Sequence, residues 1–226
     1  MPISFRRKSS LTDKKVEITT AAGRTTPLLP TSYFAAQVQS SLIDLRNPDA
    51  FRRGFMPGSY NVPDLACVAA ARRTGLFRSR KIYLLAENED QLQLCSENGD
   101  LGDGSEVVGW FSPDAIEEWQ RQHSEIGSIE AISSDTLFIR MAAWNTLLFD
   151  IYQREDGWQP SHPAAMGFCM DDLPLSLDGL PVESSICLTA PTSSLACFAA
   201  SLLWNFGFHK ISYLCSGRRI SFPLAS

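Results

Sequence analysis

Leu42-Ile-Asp-Leu-Arg46, then Asn47-Pro-Asp-Ala-Phe51, then Gly54-Phe-Met-Pro-Gly-Ser-Tyr-Asn-Val-Pro63 carries the strongest structural signal in this chain. It opens with a short Leu- and Ile-rich run that ends in an acid, and that run has a counterpart. Ser41 to Arg46 is matched by Thr146-Leu-Leu-Phe-Asp-Ile-Tyr152, with Asp44 and Asp150 in equivalent places. A fixed-pitch internal repeat sets the architecture before any single residue is interpreted.

Working outward, each acid-ending run is preceded by an expected helix, Thr31 to Gln39 and Ser134 to Ala143, whose opening Thr or Ser suits an N-cap. Each is followed by a buried-strand candidate, Arg80-Lys-Ile-Tyr-Leu-Leu-Ala86 and Ser184-Ser-Ile-Cys-Leu-Thr-Ala190, that enters a polar loop and then a helix. Asp44 lies 42 residues before Ala86 and Asp150 lies 40 before Ala190, so the halves share a spacing as well as a pattern. Glu106 to Phe111 and Lys210 to Cys215 supply a closing strand for each half, and Pro113 opens a helix where its missing N–H costs nothing. Strands alternating with helices at this pitch predict an α/β fold: two tandem units, each a small, mostly parallel sheet covered by helices on both faces. The expected boundaries are a basic N-terminal tail over 1–27, a first domain over 28–125 and a second over 126–226, divided within the polar stretch His123 to Ile129.

The composition is that of an ordinary globular chain: 226 residues, 44% hydrophobic, 20% charged, formal net charge −5. The longest apolar stretch, Leu195 to Phe208, includes Ser201 and Asn205 and falls short of the roughly 20 residues that span a bilayer. Arg6, Arg7, Lys8, Lys14 and Lys15 stand against Asp13 in the first fifteen residues, with no apolar run after them to act as a secretory signal. The rest of the chain is acidic, which argues against nucleic acid as a partner because phosphate contacts need clustered Lys and Arg. Six scattered cysteines form no C-x-x-C pair and no zinc-spaced cluster; with no export signal, they are read as reduced, mostly buried thiols of a cytoplasmic protein.

The Leu42 to Pro63 stretch resembles the rhodanese family, whose Asp-x-Arg strand is followed by Gly-His-Ile-Pro-Gly-Ala and a short apolar turn; the departure is at Phe55, where the family has His. The second half resembles it more faintly, through Asp150, Trp158, Ser161-His162, the Leu173-Pro174 to Leu180-Pro181 segment, the helix from Leu195 to Gly207, and Tyr213-Leu-Cys-Ser-Gly217. Within the family the chain is most similar to the paired rhodanese region that follows the metallo-β-lactamase domain of some persulfide dioxygenase fusions. That metal-binding domain is absent: the sequence has no His-x-His-x-Asp-His segment and three histidines in all. No metal and no cofactor are expected.

The resemblance implies a thiosulfate or persulfide sulfurtransferase chemistry, in which one Cys at the tip of a strand sits in a loop whose N–H groups and following helix N-terminus lower its pKa and hold an anionic donor. The tip aligns to Ala86 and to Ala190, and a methyl group carries no sulfane sulfur. Glu87-Asn-Glu-Asp90 puts three carboxylates where an anion would sit. The second loop, Ala190-Pro191-Thr192-Ser193-Ser194-Leu195, is neutral and hydroxyl-rich and is the expected anion or ligand loop, although Leu195 stands where the family has Arg. Cys187 and Cys197 are weak candidates for a displaced nucleophile, read first as buried thiols packing as hydrophobes, and Cys67 and Cys95 are candidates for an exposed thiol. Asp44, Arg46, Asp150 and His162 are read as structural support for the loops, against an acid/base reading of the same groups. Trp110-Phe111 and Trp204-x-Phe206-x-Phe208 are read as packing. The expected function is a catalytically degenerate tandem rhodanese-like pseudoenzyme acting as a binding, regulatory or scaffold module in sulfur metabolism, with a protein partner or a second copy of itself. The competing reading is a sulfurtransferase or sulfane-sulfur carrier that uses an off-position Cys.

Overall fold

The structure is a computed structural model that describes residues 17–19, 25–27, 29, 40–78, 80–92, 104–123, 125–144, 146–157 and 159–214. In chain order the elements are β1 (Glu17–Thr19), β2 (Thr25–Pro27), β3 (Ser40–Asp44), α1 (Pro48–Arg53), β4 (Ser59–Asn61), α2 (Leu65–Thr74), β5 (Lys81–Leu85), β6 (Glu106–Phe111) and α3 (Asp114–His123) in the first half. The second half holds β7 (Glu130–Ile132), α4 (Ser134–Trp144), β8 (Leu147–Tyr152), β9 (Ala165–Cys169), β10 (Ile186–Thr189), α5 (Ser193–Asn205) and β11 (Ile211–Leu214). The expected helix over Thr31 to Gln39 lies outside the described residues.

Every strand pair in the two larger sheets is parallel. The first sheet runs β4-β3-β5-β6 and the second β7-β11-β10-β8-β9. Parallel neighbours need long crossovers, and α1, α2, α4 and α5 lie within them. β1 and β2 form an antiparallel pair of their own. Just beyond β2, the Leu29 N–H donates to the Trp110 carbonyl of β6 at 2.8 Å.

Local chemistry sets the helix ends. Asn47 caps α1 by accepting from the Ala50 N–H at 2.9 Å, and Asp64 caps α2 by accepting from the Cys67 N–H at 2.9 Å. Gly75 closes α2 in the left-handed conformation at φ 65°. The cap of α4 comes one residue earlier than the sequence suggested: the Ser133 hydroxyl, not that of Ser134, accepts from the Thr136 N–H at 3.2 Å.

The core is continuous between the halves, and α5 is the reason. Leu195 to Leu203 are buried without a break, which a helix packed on one face cannot do. One side of α5 faces the second sheet and the other meets the first half. There the Asn61 N–H donates to the Ser201 hydroxyl at 3.1 Å, Asn205 Nδ2 donates to the Ser59 carbonyl at 2.9 Å, and the Trp204 ring sits edge-on to Phe55 at 5.1 Å. Trp110, Phe111 and Phe208 are buried, whereas Phe206 is 43% exposed.

Between the two sheets, Phe55 and Gly127 exchange backbone hydrogen bonds of 3.0 and 2.8 Å. A Cβ at position 127 would lie 2.3 Å from the Phe55 ring, so only glycine allows this approach. Arg73 of α2 grips both carboxylate oxygens of Asp171 at 2.9 Å, a further tie between the halves.

Candidate functional site

In an open parallel sheet, a crevice opens where successive crossovers leave in opposite directions, at the carboxyl ends of the strands. The strand orders locate two such places. β3 connects to β4 on one side and β5 to β6 on the other, so the first lies between β3 and β5, at Asp44 and Ala86. In the second sheet β8 connects to β9 and β10 leads outward to β11, so the second lies between β8 and β10, at Asp150 and Ala190.

The first crevice is closed by its own side chains. The Ala86 N–H is spent on the Phe111 carbonyl at 3.1 Å, and the Glu87 N–H donates to Gln91 Oε1 at 2.8 Å. Asn88 accepts from the Gln91 N–H at 3.0 Å, and Gln91 Nε2 returns a bond to the Glu87 carboxylate at 3.3 Å. Gln91 thus occupies a donor that an anionic ligand would use, beside three carboxylates. Sequence reasoning missed Gln91; the Asn-x-x-Gln spacing of a capping box was its signal.

Below that loop, Asp44 and Arg46 form a buried pair. Arg46 Nη2 donates to Asp44 Oδ2 at 2.6 Å, Nε reaches both oxygens at 3.0 and 3.1 Å, and the Arg46 N–H donates to Oδ1 at 3.0 Å. Arg46 also donates to the Gly54 carbonyl at 2.8 Å, and Asn61 Nδ2 donates to the carbonyls of Asp44 and Arg46. Burial pushes the Asp44 carboxyl above its ordinary range, and the Arg46 guanidinium and N–H oppose that shift. The two residues are spent on each other and on the turn from Leu45 to Gly54.

The second crevice is built differently. Tyr152 stands where Arg46 stands in the first half, so Asp150 has no cation two residues on. It accepts instead from the Ser161 N–H at 2.7 Å, from the Ser161 hydroxyl at 2.5 Å and from the Thr189 hydroxyl, which bridges the ends of β8 and β10. The sequence marked Ser161 only as part of the family resemblance, and Thr189 was not singled out at all. His162 Nδ1 accepts from the Ala164 N–H at 3.0 Å, and its carbonyl accepts from Ala165, so the ring anchors its own turn.

Thr192 caps α5 through a 3.2 Å bond from the Leu195 N–H. The N–H groups of Ser193 and Ser194 belong to the first turn, where a helix offers them no carbonyl. Pro191, Thr192 and Ser193 are exposed, Ala190 and Ser194 half-buried, and Leu195 points into the core. This loop presents a neutral, hydroxyl-rich rim with no side-chain cation of its own.

The described thiols are buried. Cys67 is 1% exposed, which corrects its reading as a candidate exposed thiol; burial is the main influence raising its pKa, helped by the Asp64 carboxylate. Burial pushes Cys187 and Cys197 up to about 12. Cys197 Sγ faces the Pro48 carbonyl of α1 at 3.8 Å, away from the loop. Cys95 and Cys215 lie outside the described residues. Among the described residues no helix is long and apolar enough to cross a membrane.

No protein-family model matches the chain, and no curated protein matches it. Solved structures do. A thiosulfate sulfurtransferase from Pseudomonas aeruginosa is 18% identical with a TM-score of 0.34, over 77% of this chain and 34% of that one. The rhodanese-fold 3-mercaptopyruvate sulfotransferase SseA from Escherichia coli is 13% identical with a TM-score of 0.31, over 84% of this chain and 98% of that one. The wild-type structure of EanB is 13% identical with a TM-score of 0.33, over 81% of this chain and 56% of that one. This chain therefore spans about a third of the first of these and about half of the last.

Proposed function

We propose that this chain is a tandem rhodanese-like protein without sulfur-transfer activity at either loop, serving as a binding or regulatory module linked to sulfur metabolism. One observation carries the reading. At both crevices that the strand order creates, the residue leaving the central strand is alanine, Ala86 in one half and Ala190 in the other. A methyl group has no lone pair with which to attack a sulfane sulfur.

The two loops then differ in what remains to them. In the first, Gln91 and the carboxylates of Glu87, Glu89 and Asp90 leave no place for an anion. The second, from Ala190 to Leu195, keeps the first-turn N–H groups of α5 and is the ligand-facing loop of the proposal, with Asp150 and His162 holding their own turns. Its partner is another protein of a sulfur-handling assembly or a second copy of the chain.

Turnover decides between this and an off-position nucleophile. Purified, reduced protein is assayed for sulfur transfer from thiosulfate to cyanide and from a persulfide to a small thiol. The proposal expects background rates; turnover that any single Cys→Ser substitution abolishes would overturn it. Cys95 and Cys215 would then be examined before the four buried thiols.

A further inference from the structure

We infer that the end of the second sheet remote from the Ala190 loop holds a separate binding site for a small zwitterion, an α-amino acid or short peptide with free amino and carboxyl groups. A cavity of about 540 Å³ opens there, among the residues that begin β7, β10 and β11. All three strands run away from it, so it is a full strand length from the crevice at Asp150. Its size falls within the range of about 300–1,000 Å³ usual for small-molecule sites.

The charge pattern selects the ligand class. Two ion pairs face the cavity. Arg140 donates to the Glu130 carboxylate at 2.8 Å, and Lys210 Nζ lies 3.1 Å from Glu183 Oε2. The Lys210–Glu183 pair is open to water on both sides, at 61% and 83% exposure, and exchanges partners at little cost; Glu130 is 57% exposed, whereas Arg140, at 18%, is the fixed cation of the site. A simple anion attracted to Arg140 and Lys210 meets two carboxylates, and a simple cation meets the reverse. A molecule bearing both charges satisfies both sets, its carboxylate replacing a glutamate at a cation and its ammonium taking up the released glutamate.

Between the pairs, the lining is hydroxylic. Ser212 makes a long 3.4 Å bond to the Ile186 carbonyl, and the Ser185 hydroxyl accepts from Thr146 at 3.2 Å. The Ser185 hydroxyl keeps a lone pair for a peptide N–H or an ammonium, while Ser212 is buried.

The test is a titration followed in amide correlation spectra, using triglycine against three blocked forms: N-acetyl-triglycine, triglycine amide, and the doubly blocked peptide. Triglycine is expected to shift the amides of Ser185, Ile211 and Ser212, and each single block to weaken binding about tenfold, roughly 1.4 kcal/mol. Lys210→Met, at an exposed position, and Glu130→Gln are expected to weaken it similarly while leaving the rest of the spectrum in place. N-acetyl-triglycine binding as tightly as triglycine would overturn the zwitterion assignment, and no shift at these amides up to the solubility of triglycine would overturn the site. The Ala190 loop is untouched by either result.

Discussion

Arg46→Met removes the guanidinium that holds the buried Asp44 carboxylate. The guanidinium makes three contacts of 2.6–3.1 Å to Asp44, whose side chain is 1% exposed, and one of 2.8 Å to the Gly54 carbonyl. A buried ion pair adds little net stability over apolar residues, but stripping one partner leaves an uncompensated charge and costs about 3–5 kcal/mol. For a chain of this length, about 2–4 °C per kcal/mol makes that a drop of about 6–20 °C in melting temperature. The loss depends on pH. Burial raises the folded Asp44 pKa above 3.8, so the folded state holds this proton more tightly than the unfolded chain. That contribution is full below 3.8 and is lost as pH rises through the folded value. Without Arg46 to oppose it the folded pKa climbs further, so the variant's deficit should be smaller in mildly acidic buffer than at neutral pH. Thermal unfolding followed by circular dichroism measures both effects, with Asp44→Asn/Arg46→Met as the control in which neither charge is buried. A single variant melting within about 2 °C of wild type would mean that the pair holds less than about 1 kcal/mol and that Asp44 is not left an uncompensated charge; a double variant no more stable than the single would mean the same.

Other outcomes follow from the same geometry. Phe198→Ala hollows the helix that both halves share and should cost about 3–5 kcal/mol, with far-UV dichroism and tryptophan fluorescence losing their signals in one coincident transition rather than two. Gly127→Ala drives a methyl into the Phe55 ring and should cost about 1–3 kcal/mol, read as a lower denaturant midpoint. Cys187 and Cys197, with pKa values near 12, should resist iodoacetamide in the native protein at neutral pH and react on unfolding. Because their folded values lie above 9.0, the stability they contribute is full below 9.0 and fades as pH rises toward 12. A cysteine installed by Ala190→Cys should alkylate faster than one installed by Ala86→Cys, because the first sits at a helix start and the second is buried beside carboxylates; equal rates would contradict the difference drawn between the loops.

The strands were the legible part of the sequence, because a strand buried on both faces writes itself as an unbroken apolar run. Leu42 to Asp44, Ile82 to Leu85, Phe149 and Ile186 to Leu188 could be placed for that reason, and Ala86 and Ala190 followed as the residues that leave them. Contacts made across a long separation left no local mark. Nothing around Ser201 announces that its hydroxyl receives the Asn61 N–H, 140 positions away. The apolar Leu195 to Phe208 stretch was recognisable as core, but burial on all sides against both halves depends on the docking of α1, α2 and β4. The crevice at Asp150 was half legible: the acid stood out, while its donors, Ser161 and Thr189, replace a neighbouring arginine from 11 and 39 residues downstream. Gln91 was missed because its role lies in closing a loop rather than in any chemistry of its own.

Intact and peptide-level mass spectrometry of the reduced, folded protein, after exposure to thiosulfate and, separately, to glutathione persulfide, tests whether either loop carries sulfur. An unchanged mass is expected with both reagents. A stoichiometric one-sulfur adduct on a single cysteine, transferable to cyanide or a thiol, would contradict that expectation and make the chain a sulfur carrier with its nucleophile moved away from Ala86 and Ala190.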